Sequence, residues 1–125
     1  MLAATETIAH ELTHIWQFLN WNEKELLRIY AQDTPEKTML ARDIIYEGMA
    51  TWAATQALYY MGEVSYARKQ ELMQERRTDV YGIGFCLFRD RYRFVKDSGA
   101  VKYIPFNGFP PLDPIDVKNK IEEVC

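Results

Sequence analysis

The only two histidines of the chain, His10 and His14, lie four residues apart, and Glu11 follows the first of them. An α-helix turns by about 100° per residue, so side chains four apart differ in direction by only about 40°. In a helix both imidazoles therefore point to one side and can reach a single metal ion, while Glu11 lies on the flank of the pair. Because this arrangement requires a helix, the motif constrains the fold more than any other feature of the chain.

The segment around the histidines has the pattern of an amphipathic helix. It contains no glycine or proline from Thr5 to Leu19, and apolar residues recur at steps of four, three and four, namely Ile8, Leu12, Ile15 and Leu19. We expect this apolar stripe to face the core. Counted from Ile8, the two histidines lie about 200° and 240° around the helix. The pattern therefore predicts that they face away from the core that the stripe covers.

A third metal ligand is needed, because catalytic zinc sites usually combine three protein ligands with a water molecule. Between Ile44 and Gly62 the single charged residue is Glu47, within a run typical of a helix buried on nearly all sides. Four uncharged residues share its helix face, namely Ile44, Thr51, Ala54 and Leu58. A buried carboxylate must be neutralised, paired or bound to a metal. Glu47 is therefore predicted to complete a His2Glu set, the alternative being an ion pair with Arg42, Arg76 or Arg77.

Three segments carry a resemblance to a known class of enzymes, and they are Ala9–Trp16, Tyr46–Trp52 and Tyr81–Phe85. Together they resemble the gluzincin metallopeptidases, in which an HExxH helix is followed by a second helix that bears a glutamate ligand. They are most similar to the C-terminal peptidase domain of the plant ubiquitin-regulated organ-size-control peptidases and their bacterial relatives. This chain departs from the plant proteins, which tend to have two acidic residues before the glycine, by having Tyr46 and Glu47.

The resemblance implies that His10, His14 and Glu47 bind zinc and that Glu11 is the general base of a peptidase. Zinc lowers the pKa of a bound water molecule from about 15.7 towards 7, and a carboxylate can then remove its proton. The expected partner is a peptide or protein substrate. Tyr81 is a candidate donor to the oxyanion, the alternative being a tyrosine packed where glycines bring helices together. Three residues are candidates for orienting the histidines, namely Asp43, Thr51 and Asp79.

Two other classes of function compete with a peptidase. The first is a non-catalytic zinc-binding or pseudo-enzyme interaction domain. The second is a di-iron helical bundle, since Glu11 and His14 form a Glu-x-x-His element, but such a bundle needs a second element and no histidine remains for it. The net charge of −3 argues against nucleic-acid binding. We find no apolar run long enough for a membrane span and no signal-peptide pattern, and the localisation and oligomeric state stay open.

The chain is expected to form one mainly α domain, because 125 residues with 48% hydrophobic content can bury one core. The predicted helices cover about residues 4–20, 23–31, 35–61, 65–79, 80–95 and 115–124. Residues 98–114 are rich in proline and are expected to form a loop, with at most a short strand near 101–104. A zincin-like domain usually has a β-sheet before the HExxH helix. We therefore expect residues 1–125 to be the helical C-terminal part of such a domain, a fragment without the complete substrate cleft.

Overall fold

Six helices, and no strand, form in the part of the chain that the computed structural model describes, residues 2–98 and 109–124. The helices are α1 (Leu2–Asn20), α2 (Glu23–Ile29), α3 (Pro35–Tyr60), α4 (Val64–Glu75), α5 (Val80–Ser98) and α6 (Pro114–Val124). The prediction of a mainly α fold is confirmed. The strand predicted near 101–104 lies outside the described residues. None of the helices in the described ranges has the length and apolar character needed to cross a bilayer.

The long helix α3 begins and ends at the residues that its sequence predicts. The Thr34 side chain accepts a hydrogen bond from the backbone N–H of Lys37, and Pro35 occupies the first turn, where its missing N–H costs nothing. After Tyr60 the chain leaves the helix through Gly62, whose φ of +85° is one that other residues rarely adopt. These signals fix the register of α3 and therefore the direction of Glu47.

The hydrophobic core lies where α3 meets α5, α6 and α2. Trp52 of α3 packs against the rings of Phe88 and Tyr92 of α5, at centroid distances of 6.4 and 5.5 Å. Val117 and Ile121 of α6 also belong to this core, and both are fully buried. This core makes α3 the central helix of the fold, so a side chain on α3 has a fixed position relative to its neighbours.

Helices α3 and α5 cross with their backbones in direct contact at two glycines. A Cβ atom added to Gly48 would lie 2.4 Å from Cα of Gly84, and one added to Gly84 would lie 2.3 Å from the carbonyl oxygen of Ile44. Only glycine allows this approach. The contact places the first turn of α5, including Tyr81, beside Glu47 on α3.

Helix α1 packs in the orientation opposite to the one predicted. Its apolar stripe is exposed, with Ile8, Leu12 and Ile15 each more than half accessible to solvent and Leu19 72% accessible. The face that carries the histidines packs against α3, and two polar side chains there, those of Thr13 and Gln17, are buried. The prediction that the stripe faces the core is therefore wrong. The reason is that polar and ionisable groups, rather than apolar ones, attach α1 to α3.

Candidate metal centre

Three side chains from two helices converge at the contact between α1 and α3. His10 Nε2 lies 3.3 Å from Glu47 Oε1 and 3.1 Å from His14 Nε2, and His14 Nε2 also contacts Glu47 Oε1. The side chains are partly buried, with between 18% and 29% of their surface accessible. The three residues predicted as ligands therefore lie together, each offering one ligand atom within 4.8 Å of the others.

The donor set, and the two distances that join His10 Nε2 to the other ligand atoms, fit a zinc ion. Zinc binds imidazole nitrogen at about 2.0–2.1 Å and carboxylate oxygen at about 2.0–2.2 Å, usually with tetrahedral geometry, so two ligand atoms lie about 3.3–3.4 Å apart. The two distances from His10 Nε2 are 3.1 and 3.3 Å. Two imidazoles and one carboxylate also leave a fourth position open, as catalytic zinc sites do.

The orientation of the His14 ring is fixed by Gln17, one turn further along α1. The amide nitrogen of Gln17 donates to the carbonyl oxygen of Tyr46 at 3.1 Å, which directs the amide oxygen towards His14 Nδ1 at 2.8 Å. Since an amide oxygen only accepts hydrogen bonds, Nδ1 carries a proton, and Nε2 is the nitrogen that faces Glu47 and His10. In the neutral imidazole, a proton on Nδ1 leaves Nε2 as the nitrogen that can bind a metal.

The contribution of Gln17 was missed in the sequence, although a signal was present. Gln17 lies about 180° from Ile8 around the helix and thus on the face of the two histidines. It is fully buried. A glutamine on the motif face, one turn after the second histidine, can therefore be searched for as a partner of that histidine.

Glu47 is paired with the histidines and with Tyr81 rather than with an arginine. Hydrogen bonding of the Tyr81 hydroxyl to Glu47, followed by the charge of Glu47, raises the pKa of Tyr81. The ring of Tyr81 lies 6.1 Å from that of His10. Tyr81 is thus a neutral donor to Glu47 at the cluster.

Two of the three arginines considered as alternative partners of Glu47 bind other carboxylates. Arg42 contacts Glu23 and Asp43, and Arg77 contacts Asp79. Neither of these two, nor Arg76, has an ion pair with Glu47 among the described residues. The alternative of a structural arginine pair is therefore not supported by these contacts.

The cluster lies between two open cavities that share Tyr81. The first, of about 310 Å³, is bordered by His10 and Glu11, and the second, of about 390 Å³, by His14 and Glu47. Glu11 is itself exposed to solvent. A group bound between the three ligands would therefore be reachable from the cavity that contains Glu11.

The residues predicted to orient the histidines have other roles. Asp43 accepts from Arg42, and Asp79 accepts from Arg77 and from the backbone N–H of Gly82 at the start of α5. Bonding to Arg77 lowers the pKa of Asp79. The third, Thr51, borders the first cavity. Among the described residues outside the cluster, it is Gln17 that contacts a histidine ring nitrogen, Nδ1 of His14.

Comparison of the chain with family models, with curated proteins and with solved structures found no match. The resemblance to gluzincin peptidases therefore rests on the motifs of the sequence, and the candidate metal centre rests on the geometry of His10, His14 and Glu47.

Proposed function

We propose that this chain is the helical part of a gluzincin-type, zinc-dependent peptidase. The observation that carries the proposal is the convergence of His10, His14 and Glu47, each of which offers one ligand atom within 4.8 Å of the others. The orientation of His14 by Gln17 supports it, because it directs Nε2 of the ring at the same point as the other two ligand atoms. The motif and the geometry both favour a His2Glu metal site.

Each residue of the centre has a role in this proposal. Zinc, when bound, supplies a Lewis acid that activates water and polarises the substrate carbonyl. Glu11 lies outside the ligand set and borders the adjoining cavity, so its carboxylate can accept a proton there and pass it to the leaving amine. Tyr81 keeps its proton at neutral pH, because its pKa is raised, and its hydroxyl is the proposed donor to the oxyanion.

Zinc binding is tested by measuring metal content after reconstitution with zinc. We expect about one equivalent of zinc in the parent and a large loss in His14→Ala and Glu47→Ala, since each removes one of three ligands. Asp43→Asn is the matched control, because Asp43 lies on α3 near Glu47 but outside the cluster. Less than about half an equivalent in the parent, or zinc retained in both ligand variants, would contradict the metal site.

Catalysis is tested by hydrolysis of a mixed peptide library, with products identified by mass spectrometry. Glu11→Gln should retain zinc and lose about two to four orders of magnitude in rate, because it removes the general base but no ligand. Hydrolysis that is equally fast in Glu11→Gln would show that Glu11 is not the base.

A second candidate function is a non-catalytic zinc-binding interaction domain. The observation that favours it is the exposed apolar stripe of α1, since such surfaces often contact other proteins. In this case the parent would bind zinc but show no hydrolysis, and the Glu11→Gln variant would behave like the parent in every assay.

A further inference from the structure

The cavity that adjoins Glu11 contains a second carboxylate, that of Glu6, for which the proposed mechanism has no role. This cavity, of about 310 Å³, lies between α1, α3 and α4, and Glu6, His10 and Glu11 border it from α1. Glu6 lies four residues before His10, so the two side chains leave the same face of the helix. A substrate group that enters the cavity from the metal centre would therefore meet Glu6.

Negative charge predominates on the wall of this cavity. The arginine at its border is Arg77, whose guanidinium binds the carboxylate of Asp79 through Nε and Nη2. Glu6 and Glu11 have no ion pair in the described part of the chain. Because the charge of Arg77 is compensated and the charges of the two carboxylates are not, the cavity favours a positively charged group.

Glu6 is held in place by α4 and still has an oxygen for a ligand. Its Oε1 accepts a hydrogen bond from Nε2 of Gln70 at 2.8 Å. An amide is uncharged, so this bond positions the carboxylate without neutralising it. The second oxygen, Oε2, has no hydrogen-bond partner among the described residues, and Glu6 is partly exposed. The carboxylate can therefore accept a further hydrogen bond from a cation in the cavity.

The distance between Glu6 and the metal centre selects a long side chain. The point midway between His10 and His14 lies six residues beyond Glu6, about 9 Å along the helix axis. An α-ammonium group lies only about 2.5 Å from the carbonyl carbon of its own residue. A lysine or arginine side chain carries its charge about 6 Å from its Cα, and a hydrogen bond adds about 3 Å. Met73 and Ala54 border the same cavity and offer apolar surface to the methylene groups of such a side chain.

We propose that this cavity is a subsite for a lysine or arginine side chain next to the scissile bond of the peptide substrate, and that Glu6 recognises its charge. The proposal rests on the proposed peptidase function. The ammonium or guanidinium group donates to the carboxylate of Glu6, at the end of the cavity away from the metal ligands. A side chain of similar length without charge cannot form this charged pair, and an acidic side chain is repelled.

The test compares four peptide series that are blocked at both ends and have lysine, arginine, methionine or glutamate at one position. This position adjoins the scissile bond of a peptide cleaved in the mixed library, or is the centre of an alanine peptide if none is cleaved. For the zinc-loaded parent we expect kcat/KM to be at least tenfold higher for the lysine and arginine series than for the other two.

Variants of Glu6 test whether its charge causes the preference. Glu6→Gln can still accept the bond from Gln70 but has no charge, so it should lower the ratio of lysine to methionine by about tenfold. Glu6→Lys should reverse the preference towards glutamate. Glu122→Gln is the matched control, because it removes the same charge from an exposed position on α6 outside the cavity, and it should keep the ratio of the parent.

Binding of the same peptides to the metal-free chain, followed by the anisotropy of a fluorophore on the peptide, separates the two proposals. Tighter binding of the lysine series that is lost in Glu6→Gln, without hydrolysis by the zinc-loaded parent, would support the subsite and refute the peptidase. Hydrolysis without preference for lysine or arginine would refute the subsite and leave the peptidase. Neither binding nor hydrolysis would refute both.

Two further results would overturn the assignment of the cavity to a basic side chain. One is a lysine preference that stays unchanged in Glu6→Gln, since another group would then recognise the charge. The other is tighter binding of methionine peptides with a free amino terminus than of the blocked lysine peptides, which would assign the cavity to an α-ammonium group.

Discussion

Replacement of Gly84 by alanine should destabilise the fold while sparing the metal ligands. The added Cβ atom would lie 2.3 Å from the carbonyl oxygen of Ile44 and 2.5 Å from Cα of Gly48, where an ordinary contact is at least 3.4 Å. Both obstacles are backbone atoms, so no side-chain rotation relieves the overlap, and α3 and α5 must separate by about 1 Å. All three proposed ligands lie on α1 and α3 and are not moved apart by this separation.

The size of the effect follows from two opposing terms. Overpacking of a core contact costs about 1–3 kcal/mol, and backbone obstacles place this variant at the upper end. Alanine gains about 1 kcal/mol over glycine in a helix interior. The net loss is therefore about 2 kcal/mol. For a chain of 125 residues this lowers Tm by about 8 °C.

Thermal unfolding of Gly84→Ala, Gly48→Ala and the double variant, all without metal, is the measurement that checks this reasoning. Each single variant should melt earlier, and the double variant should lose less than the sum, because the first alanine has already opened the gap that the second needs. After separate reconstitution with zinc, the zinc content of all three variants should match that of the parent. An unchanged or higher Tm in Gly84→Ala would refute the close contact, and additive losses would refute the shared gap.

Three further outcomes are expected. Gln17→Leu should weaken zinc binding about 10- to 100-fold in a calorimetric titration, because His14 loses the group that fixes its tautomer, and unchanged affinity would contradict that role. Thr34→Ala should lower the free energy of unfolding in urea by about 1 kcal/mol through loss of the α3 cap, while Thr34→Ser should restore most of it. Burial raises the pKa of Tyr30, so its contribution to stability is present below the unfolded value of about 10 and is lost as pH rises above it. Tyr30→Phe should therefore flatten the fall in stability above pH 10, and an equally steep fall in both proteins would show that other groups cause it.

The fold class and the convergence of His10, His14 and Glu47 were predictable because they depend on local rules. Thr34, Pro35 and Gly62 mark the ends of α3 by their own chemistry, whatever surrounds them. Glu47 was identifiable because a single charged residue in an uncharged helix needs a partner. The two histidines, on a different helix, were candidates for that partner. The metal itself and the hydrolytic activity stay predictions.

Which face of α1 is buried was not predictable in the same way. Periodicity identifies which residues share a helix face, but it does not identify what covers that face. The stripe of Ile8 and Leu12 was apolar enough to be assigned to the core, yet the face with Thr13 and Gln17 is the buried one. The outcome depends on a partner surface on α3, including the carbonyl of Tyr46, that no local pattern in α1 encodes.

The polar attachment of α1 separates its behaviour on unfolding from that of the core. Among the described residues, Trp16 is the one side chain of α1 that packs against the main hydrophobic cluster. Release of α1 from α3 would therefore expose little apolar surface and add little to the heat capacity change or the denaturant m-value. Its amide protons should exchange through a local opening, well before those of α3. In a metal-bound state, the ion would join the two helices and turn this weakly held segment into part of the cooperative unit.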